Sequence, residues 1–481
     1  MISRSIDRTQ TVLFSLFGFI TLLSIFIGLW KEQYLLAVVP AAALIVYMAI
    51  TDFKSLYFFL IAVLPFTLEI NLPGSLALDV PAEPLVIGLM LVTVLYIFLK
   101  KGEFNGRFLL HPIIIFLIIH WFWILFASLF AVDQLVSFKF FLAKSWYIIT
   151  FCFLTSMVLK DEASIKKFFW AFFIPLFILV GVSMFRQYLK HFPFEDVNDT
   201  VMPYFRNHVN YAVTIAAFLP YLFFARTWYQ PGTFNRRFIS LSILIFIVAI
   251  WFSYTRAAML SVIAMPFIYF TVRYNLLKWV SVTAFAGAIG LLIYFSTNNR
   301  YLEFAPDYEK TVMHDDFGAH MSATFQGQDV SSMERFYRWI AALHMIQERP
   351  FTGFGPGNFY PSYQHYTVSD FETYISDNEE RSTVHNYFLL MLVEQGLIGC
   401  FLFIVFVLSI LFFGNSIYRK FKNDVQTQNF IMAVLLSIII ILINILLSDL
   451  IEDIKIGGLF WIAVALLVTM GLRKKSEEAA T

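Results

Sequence analysis

The sequence predicts an all-α polytopic membrane protein of about 14 transmembrane helices with one large aqueous loop containing short helices. Three observations predict it. Of 481 residues, 59% are hydrophobic and 14% charged, with a mean hydropathy of +0.73, whereas soluble domains are about one-quarter charged. Apolar stretches long enough to cross a bilayer as helices recur along the chain; barrel strands would be about 10 residues and would alternate. Residues 297–384 interrupt that pattern as one long polar insert.

In chain order the spans are 11–30, 34–50, 55–71, 83–99, 110–130, 139–159, 168–188, 208–225, 238–253, 257–272, 279–296, 385–413, 428–448 and 456–472. The first is long for a signal-peptide core and lacks a small-residue cleavage site, so it reads as a retained helix. Basic residues in the connections set the orientation. With the N-terminus in the cytoplasm, the inside segments hold Arg4 and Arg8; Lys54; Lys100, Lys101 and Arg107; Lys160, Lys166 and Lys167; Arg226, Arg236 and Arg237; Arg273 and Lys278; Arg419, Lys420 and Lys422; and Arg473, Lys474 and Lys475. On the other side, Asn71 to Ala82 has no lysine or arginine, and Ser448 to Asp453 is acidic. That is the positive-inside pattern. It places both termini inside and the insert outside. The expected division is 1–296 (eleven spans), 297–384 (the outward loop), 385–472 (three spans) and 473–481 (a cytoplasmic tail).

A net charge of +1 offers no basic surface for nucleic acid. Cys152 and Cys400 fall inside apolar spans, which disfavours a disulfide framework or a thiolate metal site. His314, His320, His344 and His365 do not form a ligand-spaced set, so no metal is expected.

Within the insert, Met333 to Glu348 reads as an amphipathic helix with Phe336, Trp339, Ile340, Leu343 and Ile346 as its apolar stripe. Pro350 ends it, and a glycine-rich turn from Thr352 to Phe359 follows. With no Gly-Lys-Ser/Thr, the turn is not a nucleotide P-loop. The insert is therefore expected to form a small cap over the membrane domain.

Candidate chemistry lies on the outward side. Arg256 sits in a minimal turn between the ninth and tenth spans; a charge at that depth is either functional or an arginine that snorkels to the interface. Arg206 lies at the start of the eighth span, and Arg335 and Arg338 lie one turn apart on the loop helix. Arginine suits bidentate capture of phosphate oxygens; a solvated helix face is the plainer account of these three. Lys139 and Lys144 can add point charges or mark the interface. His385 opens the twelfth span, where the positive helix end favours a neutral imidazole able to accept a proton; a lone histidine can equally be structural. Asp449, Glu452 and Asp453 form an acidic outer turn, for which a solvated connection is the plainer reading and substrate contact the alternative.

As an ordered set, these pieces resemble the O-antigen ligase and polymerase family. The resemblance rests on Arg335 to Trp339 (RFYRW), Pro350 to Phe359 (PFTGFGPGNF), His385 to Phe388 (HNYF) and Glu394 to Gly399 (EQGLIG). Upstream, Ser253-Tyr254-Thr255-Arg256 is similar to the family's serine-arginine signature, and Arg206 with Asn210 to its arginine-asparagine element. The resemblance covers about residues 200–410. It implies a fold like the multi-span lipid-dependent glycosyltransferases and a metal-independent, cofactor-free enzyme at the periplasmic face of a bacterial inner membrane. Such an enzyme moves a glycan from undecaprenyl pyrophosphate to an acceptor hydroxyl. In a ligase the acceptor is a lipid A core sugar; in a polymerase it is a second lipid-linked repeat. His385 would then be the base, Arg206, Arg256, Arg335 and Arg338 would grip pyrophosphate, and Lys139, Lys144, Asn210 and Asn386 would support them. The loop helix and glycine turn would close over the sugar. The competing class is a lipid-linked oligosaccharide flippase or other transporter. Transporters usually carry internal repeats and midplane charges; here no duplicated half is evident, and the charges cluster at one surface.

Overall fold

The computed structural model describes residues 8–32, 36, 39–72, 76–99, 104–192, 194–298, 300, 330–369, 376 and 382–478. His314, His320 and much of the polar insert lie outside the described residues.

The chain forms α1 (Arg8–Trp30), α2 (Val39–Thr51), α3 (Phe53–Val63), a hairpin of β1 (Leu68–Leu72) and β2 (Leu76–Val80), α4 (Ala82–Leu99), α5 (Pro112–Leu129) and α6 (Gln134–Val158). There follow α7 (Glu162–Leu189), α8 (His208–Ala225), α9 (Phe234–Phe252), α10 (Arg256–Arg273), α11 (Leu277–Ser296), α12 (Val330–Glu348), α13 (Tyr387–Lys420), α14 (Val425–Asn444) and α15 (Ile454–Glu478). Eleven of the described helices are long and apolar enough to cross a membrane, and three shorter apolar stretches coincide with the first three expected spans. Crossing by all fourteen is thus not established by helix length. Each helix satisfies its own backbone polar groups, the condition for lying in lipid.

The third expected span, 55–71, departs most from its reading. Its helix stops at Val63, Leu64–Phe66 tightens into a 3₁₀ turn containing Pro65, and the chain then leaves as β1. The strands pair antiparallel, Leu68 opposite Val80 and Leu72 opposite Leu76. Proline cannot donate to a continuing helix, and Leu68-Glu69-Ile70-Asn71-Leu72 alternates with a period of two, the strand pattern.

Burial sorts the helices into core and rim. The α15 span is 94% buried and α8's 83%, against 12% for α11. α8 packs between α14, α9 and α15, while α5 lies along α13. Rim helices keep large apolar side chains exposed, including Leu260, Ile263 and Phe267 on α10, which is what a lipid-facing surface requires.

α12 forms where the loop helix was expected, but its buried face is rotated. Met333, Tyr337, Ile340, Ala341 and Met345 are buried, whereas Phe336, Trp339, Leu343 and Ile346 sit on the shoulder. Two alanines, Ala341 and Ala342, are buried where α12 packs on α13; small side chains of this kind let helices approach closely. Apolar periodicity alone did not weight them.

Candidate functional site

Four helices begin at the same end of the bundle. Before α8, the Asn207 side chain accepts from the backbone N–H groups of Val209 and Asn210, each at 3.0 Å. Before α13, Asn386 accepts from Phe388 and Leu389, also at 3.0 Å. Before α15, Asp453 Oδ1 accepts from Lys455 N at 2.9 Å and Ile456 N at 3.0 Å. Thr255, which precedes α10, donates through Oγ1 to the His208 carbonyl at 3.3 Å. Asn210 Nδ2 donates to Asp453 Oδ2 at 2.8 Å, and Tyr387 N donates to the Ile445 carbonyl at 2.9 Å. These bonds hold the four N-termini together, and the positive ends of their dipoles favour an anion there.

His385 sits at this meeting point, half-buried. α12 grips the two residues before it: Arg338 Nη1 donates to the Thr383 carbonyl at 3.2 Å and Trp339 Nε1 to the Val384 carbonyl at 2.9 Å. His385 itself adopts φ +53°, a region sparse for non-glycine residues and held here by fixed neighbours on both sides. Burial, then the charges of Arg338, Arg335 and Arg206 in that order, drives its pKa down to about 3. The imidazole is therefore neutral at ordinary pH.

The predicted arginines play different parts. Arg206, Arg335 and Arg338 all bear electrostatically on His385. Arg206 is exposed and Arg335 half-buried. Arg338 is buried and committed: besides the Thr383 carbonyl, it pairs with Glu334 Oε2 at 3.1 Å. Arg256 is half-buried at the first position of α10 and joins the same end through Thr255. Lys144 is buried and paired with Glu452 Oε1 at 2.5 Å, among the rings of Phe140, Tyr387 and Trp461. Lys139 is exposed on α6 and forms no bond to this cluster among the described residues.

The acidic turn corrects its sequence reading. Rather than a solvated connection, it is a hub. Thr383 Oγ1 donates to Asp449 Oδ2 at 2.9 Å and itself accepts weakly from His385 N at 3.4 Å. Tyr387 Oη donates to Glu452 Oε1 at 2.6 Å. Asp453 takes Asn210 while capping α15. Burial foremost holds the Asp449 carboxyl above its ordinary pKa, with the nearby Glu452 adding to the rise. The hairpin reaches the same region: burial, then Asp453, pushes Asp79 up to about 6. Lys455 Nζ donates to the carbonyls of Thr67, at 3.0 Å, and Tyr204. Glu334, Thr383 and Lys455 were not anticipated, and Glu452 was read only as part of the acidic turn. The available signal was three carboxylates within five residues between two apolar helices, which is costly unless each is paired.

The glycine turn also differs from expectation. It is a clasp bound within the bundle rather than a cover. Phe354 N and Gly355 N donate to the carbonyls of Val393 and Glu394, each at 2.9 Å, and Asp133 N donates to Asn358 Oδ1 at 2.9 Å. Asn358 Nδ2 donates to Ser137 Oγ at 2.8 Å, and Phe359 N to Glu394 Oε1 at 3.1 Å. A Cβ on Gly353 would lie 2.5 Å from the Glu394 carbonyl carbon, and one on Gly396 would lie 2.1 Å from the Phe351 carbonyl oxygen. Gly396, at φ +68°, kinks α13 to make this fit.

Among the described residues, no group of three or more His, Cys, Asp or Glu is arranged to hold a metal ion. No curated protein matches the chain. Residues 241–404 match the family model described as O-antigen ligase. That interval contains Arg256, Arg335, Arg338, His385 and the clasp; Arg206 and the acidic turn lie outside it. The match supports the O-antigen ligase family and a ligase- or polymerase-type function. With the many apolar helices, it indicates a multi-pass inner membrane protein.

Proposed function

We propose that this protein is an O-antigen ligase-type glycosyltransferase, moving a glycan from undecaprenyl pyrophosphate to a sugar hydroxyl of the lipid A core. The observation that carries the reading is a neutral histidine facing three arginines where four helix N-termini meet. Arg206 and Arg335, with Arg256 at the start of α10 on the same end of the bundle, hold the donor pyrophosphate at the lipid boundary. Arg338 contributes its charge while fixing the strand that carries His385. The acceptor oxygen attacks the anomeric carbon and its proton passes to His385. The bond to the pyrophosphate breaks, and that group leaves with the electron pair. The arginines and helix dipoles meet the developing negative charge without a metal. A positioned base contributes about 10²–10⁴-fold.

Burial weakens His385 most and the arginine charges add to it; bound pyrophosphate offsets the arginine part. The imidazole thus becomes more basic only when donor is present, which couples the base to substrate. Positive-inside charge supports this end lying on the periplasmic side with both termini in the cytoplasm, and the division at 297–384 belongs to the same reading.

The test is reconstitution of purified protein with an undecaprenyl-pyrophosphate glycan and lipid A core, with no added metal or nucleotide. Glycan on the core supports the ligase. A ladder of longer lipid-linked glycan with the core untouched replaces it with a polymerase. No product in either form overturns both.

A further inference from the structure

At the opposite end of the bundle from His385, the link between α10 and α11 faces the end of α13 across a cavity of about 380 Å³, within the usual range for ligand sites. Asn275, Lys278, Asn415, Arg419, Lys420 and Lys422 line it, with no carboxylate among the lining residues. Basic side chains at a helix C-terminus complement the dipole and mark an interface, but that account leaves one feature over. Asn415 is 4% exposed and donates from Nδ2 to Asn275 Oδ1 at 2.6 Å, yet its own Oδ1 is buried with no hydrogen-bond partner. A buried acceptor left unpaired costs about 1–3 kcal/mol, so the cavity is incomplete as it stands.

We propose that this cavity binds the headgroup of an anionic glycerophospholipid that carries a free hydroxyl. The cations take the phosphate diester, and the hydroxyl donates to Asn415 Oδ1. Residues adjoining the lining ones, Leu276, Trp279 and Phe413, are exposed and apolar. They offer acyl chains a surface that a soluble phosphate would not use. Basic pockets between membrane helices recognise lipid phosphates by this chemistry.

The test uses the full chain purified in a neutral detergent, with thermal unfolding followed against added phosphatidylglycerol, phosphatidylcholine or inorganic phosphate. Phosphatidylglycerol should raise the midpoint by several degrees and phosphatidylcholine should not. Lys278→Gln with Arg419→Gln, both at exposed positions, should weaken the phosphatidylglycerol response about tenfold or more and leave the lipid-free midpoint unchanged. Equal shifts from both lipids, or an unaltered response in the double variant, would overturn the site. A full shift from inorganic phosphate alone would make it a soluble-anion site and overturn the lipid assignment. Native mass spectrometry of delipidated wild-type protein gives a second reading: selective retention of phosphatidylglycerol supports the site, and equal retention of both lipids counts against it. Neither measurement depends on transferase turnover.

Discussion

At the scale of the residue, His385 carries the most consequence. His385→Ala should insert and fold normally yet lose about 10²-fold or more of turnover; near wild-type rates in a reconstituted assay would remove its role as base. The depressed pKa also makes a stability prediction. The unfolded imidazole binds a proton below its ordinary value near 6.5, while the folded one resists until about 3. Stability is therefore full above pH 6.5 and is drawn down by this group as pH falls between those values. His385→Gln should lose that part of the acid sensitivity, visible as a flatter dependence of the unfolding midpoint on pH. Arg256→Lys should lower turnover at least tenfold, because an ammonium cannot replace a bidentate guanidinium. Unchanged turnover would leave Arg256 as an interface anchor. The sequence pointed to His385 and to the arginines by residue type and by side of the membrane. It did not distinguish Arg338, already committed to Glu334 and the Thr383 carbonyl, from the exposed Arg206, because ion pairing across a fold leaves no local trace.

At the scale of elements, the site depends on two fastenings. One is the triad of the buried Lys144 and Tyr387 with the half-buried Glu452, which locks the start of α13 against α6 and the acidic turn. The buried partner is Lys144, while Glu452 keeps 26% of its side chain exposed, so removing the carboxylate strands a buried charge and removing the lysine does not. Glu452→Gln should therefore destabilise more than Lys144→Met, and adding Lys144→Met to Glu452→Gln should recover a good part of the loss. Additive losses in denaturant unfolding would show that the pair is not coupled. The other fastening is the glycine clasp. Gly396→Ala puts a methyl group within 2.1 Å of the Phe351 carbonyl oxygen and forbids the left-handed backbone. It should lower the melting temperature by several degrees, with the kink relaxing and the start of α13 shifting. The glycines were legible as a turn. Their docking partner, the kink more than thirty residues later, was not, because what excludes a side chain at Gly353 and Gly396 is backbone from a distant segment.

At the scale of the whole molecule, orientation is the open physical prediction. Cys152 and Cys400 are buried and free, so a single added cysteine reports alone. Gln347→Cys on α12 should react with a membrane-impermeant maleimide in intact spheroplasts. Gln230→Cys, between α8 and α9, should react only after permeabilisation; the reverse pattern would invert the topology. By itself the sequence determined an all-helical membrane protein, the approximate place of its apolar helices, the loop helix and the residue types at one surface. Hydropathy, charge bias and helical period are local properties, and lipid enforces them segment by segment. Only the tertiary structure decided that four helix N-termini share one point, that the acidic turn is their hub, and that the glycine turn is a clasp. Those outcomes depend on hydrogen bonds and ion pairs between segments far apart in the chain, from Asn210 with Asp453, 243 residues apart, to Thr67 with Lys455, 388 residues apart. Such contacts form when packing removes buried polar groups from water and each must find a partner.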